Sequence, residues 1–421
     1  MNEDNPVFAK CAWRLMPFVG LIYLVSFIDR VNVAFAALTM NRDLGFTPIV
    51  YGFGAGVFFI GFFLFQVPTT VILERVGAKR TVFCIMAAWG LISAAHVFVQ
   101  GPASFYVLRF FLGIAEAGIF PGLIFYLTLW FPKAYRARLI AALQTAPPLA
   151  FIIGGPLSGI ILGMDGLAGL EGWQWLFLFE GLPAFFLSFA VLKLLPDNPS
   201  RASWLTAAEK RTIAARLSSE DTAEHRDLFR ALIDARVLGL GLVMLGILFA
   251  AYGIDLWLPQ IVQAMGFSNF ETGFVVAAPH VVSMALMIFW SYSSDVRGER
   301  IWHVAIPALL AAAGFAVAGI TASYALALLA LTFALIGIRA CYGPFFSLPA
   351  AFLGGQAAAG GIAMIYAIGS LGGFLGPTVF GVVKQQTGSY APAMAALAVG
   401  LALAAALVLA MGRSKRLALV A

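Results

Sequence analysis

The sequence predicts an all-α integral membrane protein with twelve transmembrane helices in two pseudo-symmetric six-helix bundles. Three observations lead to this fold class. Hydrophobic residues make up 62% of the 421-residue chain and charged residues only 11%, whereas soluble domains carry about 25% charged residues. Apolar runs long enough to cross a bilayer recur along the whole chain. Short motifs of the first half also return in the second half at a constant offset.

Each predicted span is a hydrophobic run that polar or turn-forming residues interrupt on both sides. Numbered in chain order, the spans cover residues 15–38, 50–73, 81–99, 104–131, 139–163, 173–195, 236–262, 271–293, 302–321, 324–352, 361–384 and 391–412. We therefore expect an N-terminal bundle over residues 1–195 and a C-terminal bundle over 236–421. The polar segment 196–235 between them contains the capping-box signature Thr206–Glu209, which predicts an amphipathic helix in a cytoplasmic linker.

The positive charges predict the orientation of the chain. Of the 26 Lys and Arg residues, 21 lie in the termini or in connections that follow even-numbered spans. Cytoplasmic connections of membrane proteins are enriched in Lys and Arg, so we expect both termini in the cytoplasm. The net charge of +6 then reflects membrane topology, and we expect no nucleic-acid partner.

The two halves of the chain repeat one another. An acid-x-x-Gly motif follows span 2 at Glu74 and Gly77. The same motif follows span 8 at Asp295 and Gly298, and the two copies are 221 residues apart. The Gly-Pro pair of span 5 returns in span 11 at the same offset. A six-span repeat with unchanged orientation predicts two bundles that face each other across a central cavity.

Ionisable residues lie inside two of the predicted spans. Span 1 contains Asp29 and Arg30, and span 4 contains Arg109 and Glu116. A charge at bilayer depth costs roughly 2.5–3.5 kcal/mol even on the lenient insertion scale, so such residues have a partner or a function. Arg109 and Glu116 are two helical turns apart, about 10 Å along one helix face. Two acid–base couples in apolar spans indicate a buried charged cavity, as in a transporter of a charged solute.

The chemistry of these groups suits proton-coupled transport of an anion. Burial favours the neutral form of a carboxyl group and an approaching guanidinium favours the charged form, which is the opposition that a proton carrier needs. Arginine holds a carboxylate through two parallel hydrogen bonds. The alternative is that the four groups form permanent ion pairs that only brace spans 1 and 4.

Several segments resemble a known family. The two acid-x-x-Gly loops resemble the signature loops of the major facilitator superfamily. Within that superfamily, the chain resembles the anion:cation symporter family, which includes tartrate, phthalate and sugar-acid transporters. The segments that carry this resemblance extend along nearly the whole chain and are Ile28–Asn32, Gly113–Pro121, Gly172–Pro183, Tyr252–Pro259 and Gly343–Pro349.

This resemblance implies a secondary active transporter that takes up a small organic carboxylate together with protons by alternating access. Asp29 and Glu116 would take up the coupling proton, and Arg30 and Arg109 would bind the substrate. It also implies a bacterial inner membrane protein, which we expect to act as a monomer without cofactor, metal or enzymatic activity. Two alternatives stay open: a proton-driven exporter of a metabolite or drug, and a non-transporting sensor on a transporter scaffold.

The C-terminal half supplies further candidates. Asp255 and Arg339 either form a structural ion pair between spans 7 and 10 or extend the substrate site. Tyr252 and Tyr366 are candidates for the cavity wall, because a wet apolar pocket suits their hydroxyl groups. Tyr366 stands where the family commonly has an Asn, which favours a smaller or more aromatic carboxylate over a sugar acid. The residues expected to control conformational change are those of the two loops: Glu74, Arg75, Gly77, Asp295, Gly298 and Arg300.

Overall fold

The computed structural model describes residues 6–218, 234–349, 352–353 and 355–413. Twelve helical segments in these ranges are long and apolar enough to cross a membrane, which confirms the predicted fold class. In chain order the spans are Pro6–Asp43, Pro48–Val76, Ala78–Ala94 with a 3₁₀ turn at Ala95–Phe98, Pro102–Glu116 with Ile119–Thr128, Lys133–Leu143 with Ala146–Leu162, Gly172–Leu194, Ala235–Gln263, Asn269–Arg297, Ile301–Ile320, Tyr324–Ser347, Gly355–Thr387 and Ala391–Arg413.

Spans 4 and 5 each consist of two helices, whereas the sequence predicted continuous ones. Proline has no backbone N–H, so a carbonyl group one turn earlier loses its helical partner. In span 4 this residue is Pro121, and regular bonding resumes where the N–H of Gly122 donates to the carbonyl of Gly118 at 2.8 Å. In span 5 the consecutive residues Pro147 and Pro148 have the same effect. Both breaks therefore lie within their spans, next to these prolines.

Among the described residues, the main contacts between the two bundles run along spans 1 and 7, spans 2 and 11, and spans 5 and 8. Glycines allow the closest of these approaches. A Cβ atom on Gly155 would lie 2.6 Å from the carbonyl oxygen of Gly273, and a Cβ on Gly273 would overlap the carbonyl of Gly155. On spans 2 and 11, Gly52 faces the carbonyl of Pro377 in the same way. The backbones of opposite bundles are thus in direct contact, as in other small-residue helix crossings.

Hydrogen bonds close the bundles at the same end of the molecule. The hydroxyl of Tyr51 donates to the carbonyl of Leu256 at 2.6 Å, and the amide of Asn41 donates to the side-chain oxygen of Gln260 at 3.1 Å. These contacts lie near the connections that follow odd-numbered spans, such as residues 44–47. The space between the bundles therefore lies on the other side of this closure, toward the end that holds both termini.

The predicted linker begins with a helix at Ala207–Ser218. At its start, the backbone N–H of Thr206 donates to Glu209 at 2.7 Å, and the N–H of Glu209 donates back to the Thr206 hydroxyl at 3.2 Å. Lys10 of span 1 donates to the Glu209 carboxylate at 2.9 Å. This contact attaches the linker helix to the N-terminal bundle. Residues 219–233, the rest of the predicted linker, lie outside the described ranges.

Candidate functional site

An ion pair joins spans 1 and 4 in the core of the N-terminal bundle. The Arg30 guanidinium donates to Oε2 of Glu116 from Nη2 at 2.7 Å and from Nε at 3.3 Å. Both side chains are buried, with exposed fractions of 4% and 0%. The Arg30 guanidinium also lies over the ring of Phe27, 4.7 Å from the ring centroid. Glu116 is the last residue before the break in span 4, so the acid sits where this span is interrupted.

Asp29 lies beside this pair but does not contact Arg30. The Ser93 hydroxyl of span 3 and the Asn32 amide, the latter at 3.2 Å, both donate to its Oδ1 atom. The carboxyl groups of Asp29 and Glu116 also interact electrostatically. Oδ2 of Asp29 and Oε1 of Glu116 have no hydrogen-bond partner in the described part of the chain. The two acids and Arg30 therefore form one buried electrostatic site.

Arg109 supplies a second buried cation in the same bundle. Its side chain is fully buried, and its Nη2 atom donates to the carbonyl of Ala55 at 3.4 Å. The Nε and Nη1 atoms make no hydrogen bond to any described residue. The guanidinium lies 4.9 Å from the centroid of the Phe58 ring and interacts electrostatically with both Asp29 and Glu116. It is therefore a cation that still has free donors for an anion.

The two acid–base couples expected from the sequence do not form direct pairs. Adjacent residues of a helix point in different directions, so Asp29 faces span 3 while Arg30 faces span 4. Arg109 and Glu116 share a helix face but lie two turns apart, which is too far for direct contact. In the structure Glu116 pairs with Arg30 instead, and Arg109 donates a hydrogen bond to the carbonyl of Ala55.

A narrow cavity of about 30 Å³ lies between the bundles beside these groups. The sequence candidates Tyr252, Tyr366, Asp255 and Arg339 all line it. Aromatic and aliphatic side chains make up most of the remaining wall. The other lining residues are Tyr23, Phe27, Val31, Gln144, Pro147, Phe151, Met244, Leu248, Tyr342 and Phe346. The cavity is thus mainly apolar with a few convergent polar groups, as small-molecule sites usually are.

A second buried ion pair joins spans 7 and 10 at the cavity wall. Nη2 of Arg339 donates to Oδ2 of Asp255 at 2.7 Å, with side-chain exposed fractions of 3% and 6%. Nη1 of Arg339 also donates to the Tyr342 hydroxyl at 3.4 Å. The sequence left open whether Asp255 and Arg339 brace the bundle or extend the cavity. The two groups are paired and both line the cavity, and whether they bind substrate stays a prediction.

The candidate gating loops lie at the end of the molecule that holds the termini. Asp295 pairs with Arg300 of its own loop at 2.6 Å, and Gly298 ends span 8 with a positive φ of 64°. Gly77 likewise has a φ of 95°, where glycine is strongly favoured. Arg75 is exposed, and the side chain of Glu74 lies outside the described part of the structure. The gating role of these residues stays a prediction.

One buried acid was not among the sequence candidates. Glu180 of span 6 is 3% exposed and accepts a hydrogen bond from the Ser158 hydroxyl at 2.9 Å. Its other carboxyl oxygen has no hydrogen-bond partner among the described residues. The sequence does contain a signal for this site, because an acidic residue inside an apolar span is unusual. Tyr23 was missed as well, because a tyrosine in a span reads equally well as bundle packing.

Comparison with known proteins identifies the family. The family model described as the Major Facilitator Superfamily matches residues 19–377 of this chain. The chain belongs to the major facilitator superfamily. It is therefore a multi-pass membrane transporter, and its twelve helices in two bundles are the fold of this superfamily.

Two relatives with a high sequence identity to this chain are named for different substrates. A protein of Agrobacterium vitis named "Putative tartrate transporter" is 46% identical over 97% of this chain and 92% of its own length. A "Quinolone resistance transporter" of Acinetobacter baumannii is 38% identical over 93% of this chain and 91% of its own length.

A solved structure shares the fold. It is a crystal structure of a bacterial homologue of the human lysosomal transporter Spinster, in an inward-facing and unoccupied conformation. It superposes with a TM-score of 0.78 at 18% identity, covering 96% of this chain and 97% of that one.

Proposed function

We propose that this transporter is a proton-coupled symporter that takes up a small organic carboxylate. One observation carries the proposal: a buried Arg30–Glu116 ion pair lies beside a second acid, Asp29, and a second buried arginine, Arg109, that has free donors. A substrate carboxylate can replace Glu116 as the partner of Arg30 through the same pair of hydrogen bonds. Arg109 supplies additional positive charge for the anion.

The exchange of partners couples substrate to proton. Once a substrate carboxylate holds Arg30, the displaced Glu116 is a buried carboxylate beside Asp29 with no cation. An unpaired buried carboxylate is strongly disfavoured, so it binds a proton. The loaded site then carries no excess negative charge, and the two bundles can rock around it. Release of substrate and proton on the other side restores the Arg30–Glu116 pair.

The relatives support a carboxylate as substrate. The Agrobacterium vitis relative is named for tartrate, an anion with two carboxylates, and it matches 97% of this chain. The wall tyrosines Tyr252 and Tyr366 offer hydroxyl groups beside Arg30, with which both interact electrostatically. In this proposal they orient the substrate, and Arg339 contributes from the opposite bundle.

The proposal includes the placement of the protein in the inner membrane with both termini in the cytoplasm. The distribution of positive charge supports this orientation. The closure near residues 44–47 then faces outward, and the cavity lies on the cytoplasmic side of it.

The second candidate is proton-driven export of a drug or metabolite. The Acinetobacter baumannii relative, named for quinolone resistance, favours it. Buried arginines at the cavity disfavour a cationic cargo, but an anionic or zwitterionic cargo remains compatible with them.

Uptake into proteoliposomes distinguishes the two candidates. The purified protein is tested with labelled hydroxy diacids, sugar acids and aromatic mono- and dicarboxylates, with and without an inward proton gradient. Symport predicts that one carboxylate class accumulates only with the gradient. Accumulation of a quinolone driven by a gradient in the opposite direction, with no carboxylate uptake, would instead establish export.

A further inference from the structure

We propose that His280 of span 8 is a proton-sensitive latch on the closure between spans 5 and 8. When neutral, it stacks on Phe151 of the opposite bundle and helps to hold that end of the molecule closed. When it binds a proton in the open state, it opposes the return to the closed state. This role rests on the movement of the two bundles against each other, and on neither the substrate nor the coupling proton of the proposed symport.

The ring of His280 lies flat against a ring of the other bundle. The ring centroids of His280 and Phe151 are 4.1 Å apart, with 4° between the ring planes. His280 is fully buried, and Phe151 lines the cavity. Phe151 comes about one turn before Gly155 in span 5, and His280 about two turns after Gly273 in span 8. The stack therefore lies on the cavity side of the Gly155–Gly273 contact and belongs to the closure.

The closed state leaves both nitrogens of this imidazole without a partner. Neither Nδ1 nor Nε2 of His280 makes a hydrogen bond to any described residue. A buried polar group without a hydrogen bond is unfavourable, and a phenyl ring could make the same stack without that cost. Separation of spans 5 and 8 would expose the imidazole to water, which can bond to both nitrogens. The histidine therefore favours the open state more than an apolar ring would.

Among the described residues, the charged groups around His280 offer no free acid to a protonated ring. Spans 5, 7, 9 and 10 pack against span 8, and residues 139–162 of span 5 contain no ionisable side chain. Span 10 contributes Arg339, which interacts electrostatically with His280. The acid of span 7, Asp255, is bound to Arg339 at 2.7 Å. The other titratable groups on these elements are the cavity hydroxyls of Tyr252 and Tyr342, His303 of span 9 paired with Glu299, and Glu271 of span 8 bonded to Ser268.

A proton on His280 therefore opposes the closed state. There the imidazolium would lie in an apolar stack near the positive charge of Arg339, and burial of an unpaired charge is strongly unfavourable. A cation–π contact with Phe151 recovers only part of this cost. In the open state water stabilises the imidazolium, and imidazole side chains in water have a pKa of about 6.5. The latch is thus suited to respond to pH in the physiological range.

The latch allows acidity on one side of the membrane to hold the carrier open to that side. A proton reaches His280 through the open gap between spans 5 and 8. It must leave by the same gap before the bundles close, so this proton is not transported. In the proposed orientation, an acidic exterior increases the fraction of carriers whose binding site faces outward and awaits substrate.

Spin labels across the ends of spans 5 and 8 test the latch, because they report the ratio of open to closed protein. The ratio is measured without substrate from about pH 8 to 5.5. Two variants remove the titrating group: His280→Phe keeps a flat apolar ring, and His280→Gln keeps a polar side chain without a ring. The matched control is His96→Phe. His96 is also buried and stacks on Phe177 at 4.8 Å, but both residues belong to the N-terminal bundle, so bundle movement does not separate them.

The open-to-closed ratio of wild type and of His96→Phe should rise about tenfold more over this pH range than that of the two His280 variants. A group with a pKa of about 6.5 that becomes charged only in the open state changes the ratio by that factor. The comparison with the variants subtracts the response of the buried acids, such as Asp29 and Glu116. An equal pH response in wild type and in a folded His280 variant would overturn the proposal, and so would loss of the response in His96→Phe.

A second measurement uses the wild type alone and does not depend on the folding of a variant. Diethyl pyrocarbonate acylates accessible neutral imidazoles, so it should modify His280 in a sample whose labels show an open fraction. The bulky adduct cannot stack on Phe151, and the labels should then stay at the open distance. A His280 that remains unmodified in such a sample would overturn the proposal. None of these outcomes affects the proposed symport, which proteoliposome uptake tests separately.

Discussion

Neutralisation of Glu116 is the most informative single change. In Glu116→Gln, the amide can still donate to Asp29, but Arg30 loses its ionic partner at 2.7 Å. A hydrogen bond to a charged group contributes about 1.5–3 kcal/mol and a neutral one about 1 kcal/mol. The internal competitor for Arg30 is thereby weakened by about 1.5 kcal/mol, so the variant should bind substrate roughly tenfold more tightly than wild type.

The same change removes the proton that the cycle carries. In wild type, protonation of Glu116 frees Arg30, so substrate affinity should rise as the pH falls. In Glu116→Gln the side chain is permanently neutral, and affinity should not vary with pH through this residue. The variant should still exchange substrate across the membrane without a gradient, because the loaded carrier can reorient. It should not accumulate substrate when an inward proton gradient is imposed.

Three measurements in proteoliposomes check this reasoning: equilibrium binding at several pH values, exchange without a gradient, and accumulation with one. Glu180→Gln is the matched control, since it neutralises another buried acid of the same bundle that Ser158 holds instead of an arginine. We expect this control to keep gradient-driven accumulation. If Glu116→Gln accumulates substrate as well as wild type, or if both variants lose accumulation alike, the assignment of Glu116 is refuted.

Two further predictions concern the closure and the linker. Gly273→Ala places a Cβ against the carbonyl of Gly155, so it should populate the state open at the end near residues 44–47, seen as longer spin-label distances across spans 5 and 8. Gly154→Ala, whose nearest neighbour is 3.7 Å away, should not, and equal distances in both variants would contradict the packing argument. The hydrogen bond from Lys10 lowers the pKa of Glu209. The contact therefore stabilises the attachment of the linker helix above the pKa that Glu209 has in the unfolded chain, and this stabilisation is lost as the pH falls through the lowered pKa of the folded state. The hydrogen-exchange protection factors of residues 207–218, which are corrected for the intrinsic exchange rate at each pH, should therefore stay constant from about pH 8 to 5 and fall only below about 4.3. A loss of protection between neutral pH and pH 5 would show that another group holds the linker.

The sequence predicts the spans well because hydrophobic length is a local property. It does not predict the breaks in spans 4 and 5, since proline is tolerated in many transmembrane helices and only the surrounding packing decides whether the helix bends or stops. It also places Asp29, Arg30, Arg109 and Glu116 in the right spans. Their partners, however, depend on how spans 1, 3 and 4 are rotated against one another, and no local pattern encodes that rotation.

The C-terminal half illustrates the same limit. Asp255 and Arg339 are 84 residues apart, and the sequence suggested their pairing only because each is a charge inside an apolar span. Both residues line one cavity with Tyr252 and Tyr366 because the two bundles face each other in the folded protein. The apolar surroundings in the sequence identified the two residues, but only the tertiary structure shows their contacts.

Proton movement driven by substrate tests the central claim most directly. Proteoliposomes that contain the protein and a trapped pH dye are prepared with equal pH and no membrane potential on both sides, and the carboxylate that the uptake panel identifies is then added outside. Symport predicts acidification of the interior that depends on this substrate and is absent in Glu116→Gln. Substrate entry with no change of internal pH, or with alkalinisation, would contradict proton-coupled uptake.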